Sequence, residues 1–229
     1  MVFCTKQKHL KDIVIKINGV PIERVYVTKF LGVLIDASLT WKNHIEYTCK
    51  KISKSIGIIS KARQKLHKST LINLYYWFTY PYLIYCNHVW GNTYQSHLDK
   101  IVKLQKKIIR IISGAKYRDH TAPLFKCNGV LNMKQINVYM IGIFMYQSVN
   151  SELPTMLSDI FKYNRDVNRY VTRQSDDLFV PMHRTNIRRN AIAVHGSKVW
   201  NAIQNNIKMA ASLSCFKFKL KRYLLEQIN

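Results

Sequence analysis

Asp176-Asp177 is the only adjacent pair of acids in the chain. Paired carboxylates matter because two-metal phosphoryl transfer holds its ions about 3.5–4 Å apart on acids fixed by a rigid turn. Here the pair follows Arg173-Gln174-Ser175 in a polar stretch, and no second acidic cluster accompanies it. Salt bridges to Arg173 or Arg184 are the expected use of these acids. Cys86-x-His88 sets a thiol beside an imidazole, but no second pair exists. The five cysteines, Cys4, Cys49, Cys86, Cys127 and Cys215, contain no C-x-x-C, so neither a zinc site nor a disulfide framework is expected. Reduced, mostly buried thiols of an intracellular protein are the expectation. No G-x-x-x-x-G-K, G-x-S-x-G or H-E-x-x-H occurs. The chemistry therefore lies in the cations. Lys50, Lys51, Lys54, Lys61 and Arg63 form one group, Lys103, Lys106, Lys107 and Arg110 a second, and Arg184, Arg188 and Arg189 a third. Groups of this kind neutralise phosphates and release counterions.

The bulk composition agrees. The 229 residues hold 36 Lys+Arg against 12 Asp+Glu, a formal charge of +24, while 48% of residues are hydrophobic and 12% aromatic. A disordered basic tail would lack that apolar content. So large an excess repels itself unless a polyanion neutralises it, which leaves nucleic acid or an anionic membrane. No acid occurs between Glu46 and Asp99, between Asp119 and Glu152, or between Asp177 and Glu226. These gaps favour phosphate contact over a merely solvated face. The longest apolar run, Leu74 to Cys86, is shorter than the ~18–20 residues that span a bilayer and contains Pro81. No signal-type apolar core opens the chain.

The elements that must position these cations are mainly helical. Residues 10–36 read as a small β-unit: Ile13–Ile17, a turn at Asn18-Gly19, a return over Val20–Val27, and a largely buried third strand at Phe30–Ile35. Ile45, Cys49, Ile52, Ile56, Ile59 and Leu66 then form one helical stripe, with the lysines mostly off it. A second helix starts at a Ser69 N-cap and ends or kinks at Pro81. A third spans Ser96 to Ser113 with Gly114 as its C-terminal cap. A fourth, Met133–Val149, is apolar nearly all round and so buried. Residues 162–190 read as an irregular connection with one strand-like piece at Leu178–Val180. Helices at Ala191–Asn205 and Phe216–Ile228 complete a mainly α fold with a small N-terminal β part (α+β). The aromatics Tyr75, Tyr76, Trp77, Tyr80, Tyr82, Tyr85 and Trp90 read as helix packing, with base stacking as the alternative.

Several short motifs occur in order. They are Thr5-Lys6, Ile17-Asn18-Gly19, Ile22-Glu23 and Phe30-Leu31-Gly32-Val33-x-Ile35-Asp36-x-x-Leu39-x-Trp41-x-x-His44-Ile45. Leu104-Gln105-Lys106-x-x-x-Arg110-Ile111-Ile112-Ser113-Gly114, Pro123-Leu124-Phe125 and Asn128-Gly129-Val130-Leu131 follow. Thr172-Arg173, Arg184-Thr185-Asn186, Gly196-x-Lys198-x-Trp200-Asn201 and Ser214-x-Phe216-Lys217-x-x-Leu220-Lys221 close the series. This order resembles the C-terminal part of the reverse transcriptases of non-LTR (LINE/jockey-type) retrotransposons.

The resemblance implies an organisation. Residues 1–36 would be a palm remnant, with Phe30, Leu31, Gly32 and Val33 near the primer grip. Residues 37–115 would be a thumb-like helical domain and 116–229 a helical C-terminal region. The family's catalytic carboxylates, an A-box Asp and an aromatic-x-D-D box, have no counterpart here, since Gln174 stands where the aromatic would. The parent family uses Mg²⁺, whose ligands are thus absent; no cofactor and no catalytic residue are expected in this chain. Expected partners are RNA, DNA or an RNA–DNA duplex, together with the missing fingers and palm of the parent polymerase, and not a membrane. The resemblance also implies a nuclear setting. Two alternatives stay open: a C-terminal piece of a longer, active polymerase, and a general polyanion or membrane-surface binder built on amphipathic helices. A β-unit cut from its sheet leaves an unpaired edge, so the first 36 residues are expected to be the least stable.

Overall fold

The computed structural model describes residues 1–3, 14–167 and 173–228. The start of the first expected strand (residues 10–13), the Thr5-Lys6 motif, Cys4 and Thr172 lie outside the described residues.

The β-unit is two hairpins. β1 (Lys16–Ile17) pairs antiparallel with β2 (Val20–Pro21) across Asn18-Gly19. β3 (Val27–Phe30) pairs antiparallel with β4 (Val33–Asp36) across Leu31-Gly32. Both central residues of each turn have positive φ, 49° and 81° in the first and 44° and 82° in the second. That is the primed-turn geometry that matches strand twist. The expected single strand over Phe30–Ile35 is therefore corrected. Gly32 accepts the left-handed conformation, the chain reverses, and Phe30 ends one strand while Val33 begins the next. The expected burial is corrected with it: Leu31 is 74% exposed, and of Phe30–Ile35 only Val33 is buried.

The rest is helical, and its elements follow the apolar periodicity. α1 (Lys42–Ala62) buries Ile45, Ile52, Ile56 and Ile59. Cys49 is half-buried, and Leu66, past the helix end, is exposed. α2 (Lys68–Phe78) starts after His67, one residue ahead of the expected Ser69 cap, and no side chain caps it. Pro81 opens α3 (Tyr80–Ile84), where a missing N–H costs nothing. α4 (Asn87–Trp90) leads to α5 (Gln95–Ser113), which ends on Gly114 at φ 68°. α6 (Ala122–Cys127) precedes α7 (Met133–Val149), whose N-terminus is closed by a reciprocal capping box between Asn132 and Gln135.

α8 (Thr155–Ser158), α9 (Asn164–Val167) and α10 (Asn186–Asn190) are single turns. α11 (Ile192–Ala202), α12 (Asn205–Lys208) and α13 (Leu213–Glu226) finish the chain. α9, α10 and an isolated bridge between Tyr163 and Leu178 order part of the expected irregular connection.

α7 packs against α3, α4, α5, α8, α11 and α13. One contiguous apolar cluster runs from Ile45 through Ile108, Ile136 and Phe216 to Ile228. Packing is close: a Cβ on Gly142 would stand 2.7 Å from Leu220 Cδ2. Buried polar groups join early and late helices. Asn137 Nδ2 donates to Asn87 Oδ1 at 2.9 Å, and Gln105 Nε2 donates to Tyr75 Oη and the Leu131 carbonyl, each at 2.9 Å. Among the described residues, no helix is long and apolar enough to cross a membrane.

Candidate nucleic-acid interface

α1 and α5 lie side by side and run in the same direction. Near their N-terminal ends, Lys100 Nζ meets Glu46 Oε1 at 3.1 Å. Near their C-terminal ends, a Cβ on Gly114 would stand 3.5 Å from an Arg63 guanidinium nitrogen. The apolar stripes of both helices turn inward, so the off-stripe residues must face water. Glu46, Lys50 and Lys54 succeed one another at four-residue steps on α1. Lys100, Lys103 and Lys107 do so at three- and four-residue steps on α5, so each set forms one row. The Glu46–Lys100 contact aligns the rows. Lys61 extends the first after two further turns, whereas Arg63, just past the helix, continues the Ile52, Ile56 and Ile59 side and stands beside Gly114.

The remaining candidates are placed elsewhere. Lys51 is half-buried, its ammonium 5.4 Å from the Tyr47 ring centre, which Lys29 of β3 approaches to 5.9 Å. Tyr47 thus gathers two cations on its π-system. Lys106 lies on the other flank of α5, lining a cavity of about 290 Å³ with Gln95, Asp99 and Lys134. Arg110 is half-buried, and its Nε and Nη2 donate to the Asp119 carbonyl at 3.1 and 3.0 Å. Arg184, Arg188 and Arg189 are exposed at and just before α10, off the two rows. Phe30 and Leu31 form the exposed tip of the second hairpin, where the Tyr85 hydroxyl donates to the Leu31 carbonyl at 2.6 Å.

Among the described residues, Lys50, Lys54, Lys61, Arg63, Lys103 and Lys107 have no ion-pair partner. Glu46 is the one acid along the rows, and its hydrogen bond to Lys100 holds its carboxyl below the usual range, helped by Lys42 and Lys50. Burial pushes the Cys49 thiol up and the His44 imidazole down. The aromatic segment divides. Tyr75 and Trp90 are fully buried, as helix packing requires, whereas Trp77 is 68% exposed. Cys49, Cys86 and Cys215 are half-buried and Cys127 is exposed, so none of these four thiols is fully buried and the expectation of mostly buried thiols is corrected.

Sequence reasoning missed the start of α1. Asp36 Oδ1 accepts from the Trp41 amide at 2.8 Å, and its Oδ2 accepts from the Thr40 amide and hydroxyl at 2.9 and 3.0 Å. The available signal was an acid six residues before the helix, a local acceptor for the amides of Thr40 and Trp41 that lead into it.

The acids do not fit a magnesium site. Asp176 pairs with Arg165 at 3.0 Å, not with Arg173 or Arg184 as expected. Among the described residues, no group of three or more His, Cys, Asp or Glu side chains converges.

This is a mainly helical chain with a small N-terminal β part and a cation-lined helix pair. Its curated homologues are RNA-directed DNA polymerases of non-LTR retrotransposons. One is the RNA-directed DNA polymerase from mobile element jockey of Drosophila funebris, 33% identical over 106 residues, covering 45% of this chain and 12% of the relative. Its counterpart in Drosophila melanogaster matches with the same identity and coverage. The probable RNA-directed DNA polymerase from transposon X-element of Drosophila melanogaster is 26% identical over 179 residues, 76% of this chain and 19% of the relative. The matches thus span between about an eighth and a fifth of those relatives' length. No protein-family model and no solved structure matches the chain.

Proposed function

We propose that this chain is the nucleic-acid-holding part of a retrotransposon RNA-directed DNA polymerase, corresponding to the end of the palm, the thumb and the region after it. In this reading residues 37–115 grip a template–primer duplex by its backbone, and residues 116–229 brace them. Catalysis belongs to palm and finger residues of the parent polymerase. The observation that carries the reading is the pair of rows on α1 and α5, with Lys50, Lys54, Lys61, Lys103 and Lys107 on them and Arg63 at their C-terminal end all free of acid partners among the described residues. Such contacts position a duplex and do not read its sequence.

The exposed apolar residues of the hairpins support the same reading, because a palm sheet would cover them. The geometry favours nucleic acid over a membrane surface. The apolar side of α5 is spent in the core, where Ile101, Ile108 and Ile109 are fully buried, so it is not free to enter lipid.

The test is fluorescence anisotropy with an RNA–DNA duplex at 50 to 200 mM salt. Six phosphate contacts predict roughly a 10³-fold loss of affinity over that range. Replacing Lys50, Lys54, Lys61 and Lys103 together by Gln should flatten the salt slope by about four contacts. Absent or salt-insensitive binding overturns the proposal.

A further inference from the structure

A groove of about 560 Å³ lies where the β4–α1 turn, the α4–α5 loop and α10 meet. That volume is in the range of small-ligand sites. Trp41, Tyr94, Val89 and Ile187 supply its apolar lining, Arg184 is its one charge, and no acid lines it. Tyr94 is 43% exposed and Trp41 half-buried, so ring surface is open to the groove.

The walls are tied together. Thr93 Oγ1 donates to the Thr40 carbonyl at 2.8 Å, and Asn92 Nδ2 donates to the Asn190 carbonyl at 3.3 Å. Asn92 is nine-tenths buried in that wall, and its Oδ1 has no partner. Buried acceptors are ordinarily satisfied, so the wall keeps one acceptor in reserve.

The groove also has a fixed relation to the cation rows. Trp41 immediately precedes α1 and Tyr94 immediately precedes α5. Neither side chain caps its helix, and neither first turn contains an acid. Two parallel helices of 21 and 19 residues therefore begin at the groove; the Asp36 carboxylate already meets the start of α1, so α5 brings the free positive end. Arg184 and the two rings thus stand at the N-terminal ends of the two helices that carry the rows.

We propose that this groove takes one unpaired nucleotide at the end of a nucleic acid lying on the α1/α5 rows. The base lies against Tyr94 and Trp41, and its phosphate meets Arg184. This rests on the nucleic-acid reading above. Stacking explains the rings, and charge explains an acid-free lining where Arg184 meets the positive end of α5.

The experiment uses the 229-residue chain and five RNA–DNA duplexes of one sequence: blunt, with a single 3′ adenosine, with a single 5′ adenosine, and with each of those overhangs abasic. The abasic arm carries the same phosphate without the base. The adenosine overhang at one of the two ends should bind about tenfold tighter than its abasic partner, as one stacked base implies. Tyr94→Ser removes the ring and installs a favoured N-cap, so the fold is kept. It should abolish that preference and leave blunt-duplex affinity unchanged. Arg184→Gln should weaken both overhang duplexes at that end and not the blunt one. Equal affinity for adenosine and abasic overhangs at both ends, with blunt binding intact, overturns the pocket and spares the reading above. A preference that survives Tyr94→Ser also overturns it. Loss of all binding overturns both.

Discussion

The two hairpins and α7 are both rich in apolar residues and meet opposite fates. Ile17 and Val20 are 61% and 66% exposed, while Ile136, Ile141 and Met145 of α7 are fully buried. The difference is neighbours. α7 is packed against six helices, so nearly every side of it finds a partner. Among the described residues, the hairpins have two- and four-residue strands, and their main cover is where β4 meets α1. Apolar content makes a core only where a second layer supplies the other wall.

The largest expected effect lies beneath α7. Phe216 of α13 is fully buried and stacks on Tyr146 of α7 with ring centres 4.5 Å apart. Phe216→Ala should cost about 3–5 kcal/mol by urea unfolding. Ile17→Ala, made in an exposed hairpin position, should stay within about 0.5 kcal/mol. Equal costs at both sites would break the comparison.

Acid should act next, through the junction of the two regions. His44 Nδ1 accepts from the Leu34 amide at 3.3 Å, which ties β4 to α1. Burial holds His44, and likewise His88 and His195, below the ordinary imidazole value of 6.5. The unfolded chain then binds more protons below that value, so stability is full above it and declines as pH falls toward the folded values. Thermal unfolding at pH 7.5 and 5.5 should show the loss, and His44→Gln should reduce it. A midpoint independent of pH would contradict this.

Asp36 is the other tie between the regions. Asp36→Ala removes three hydrogen bonds at the start of α1 and should cost about 1–2 kcal/mol in denaturant melts. The smallest stability effect belongs to the cation rows. Lys54→Gln should leave the melting temperature unchanged while lowering the salt slope of duplex binding by about one contact. A clear loss of stability would show that the row has a structural role.

Much of the fold could be read in the residues, unevenly. Met133–Val149 was legible to the residue, because a long, mostly apolar run between Asn132 and Asn150 favours a buried helix. Gly114 was legible because a left-handed cap suits glycine. Phe30–Ile35 misled because a run of apolar residues hides a turn at Leu31, an unusual residue for positive φ. Ser69 was an attractive cap, yet the helix begins at Lys68, where the backbone after His67 already closes the first turn. The short helices α4, α8, α9 and α12 escaped notice, since one turn carries no periodicity.

The cation groups were visible as composition, and their arrangement was not. Helical spacing alone could place Lys50 with Lys54 and Lys103 with Lys107. It could not say that α1 and α5 run parallel, which brings those rows together, or that Lys106 and Arg110 leave them. The same holds for the groove, whose walls come from residues near 40, 92 and 187. Sequence by itself determined the helices, their apolar faces, the excess of positive charge and the kinship with retrotransposon polymerases, because these depend on local spacing and residue type. Only tertiary structure decided which cations share a face, which rings remain open and where the hairpins lose their cover. Those outcomes depend on contacts between residues far apart in the chain.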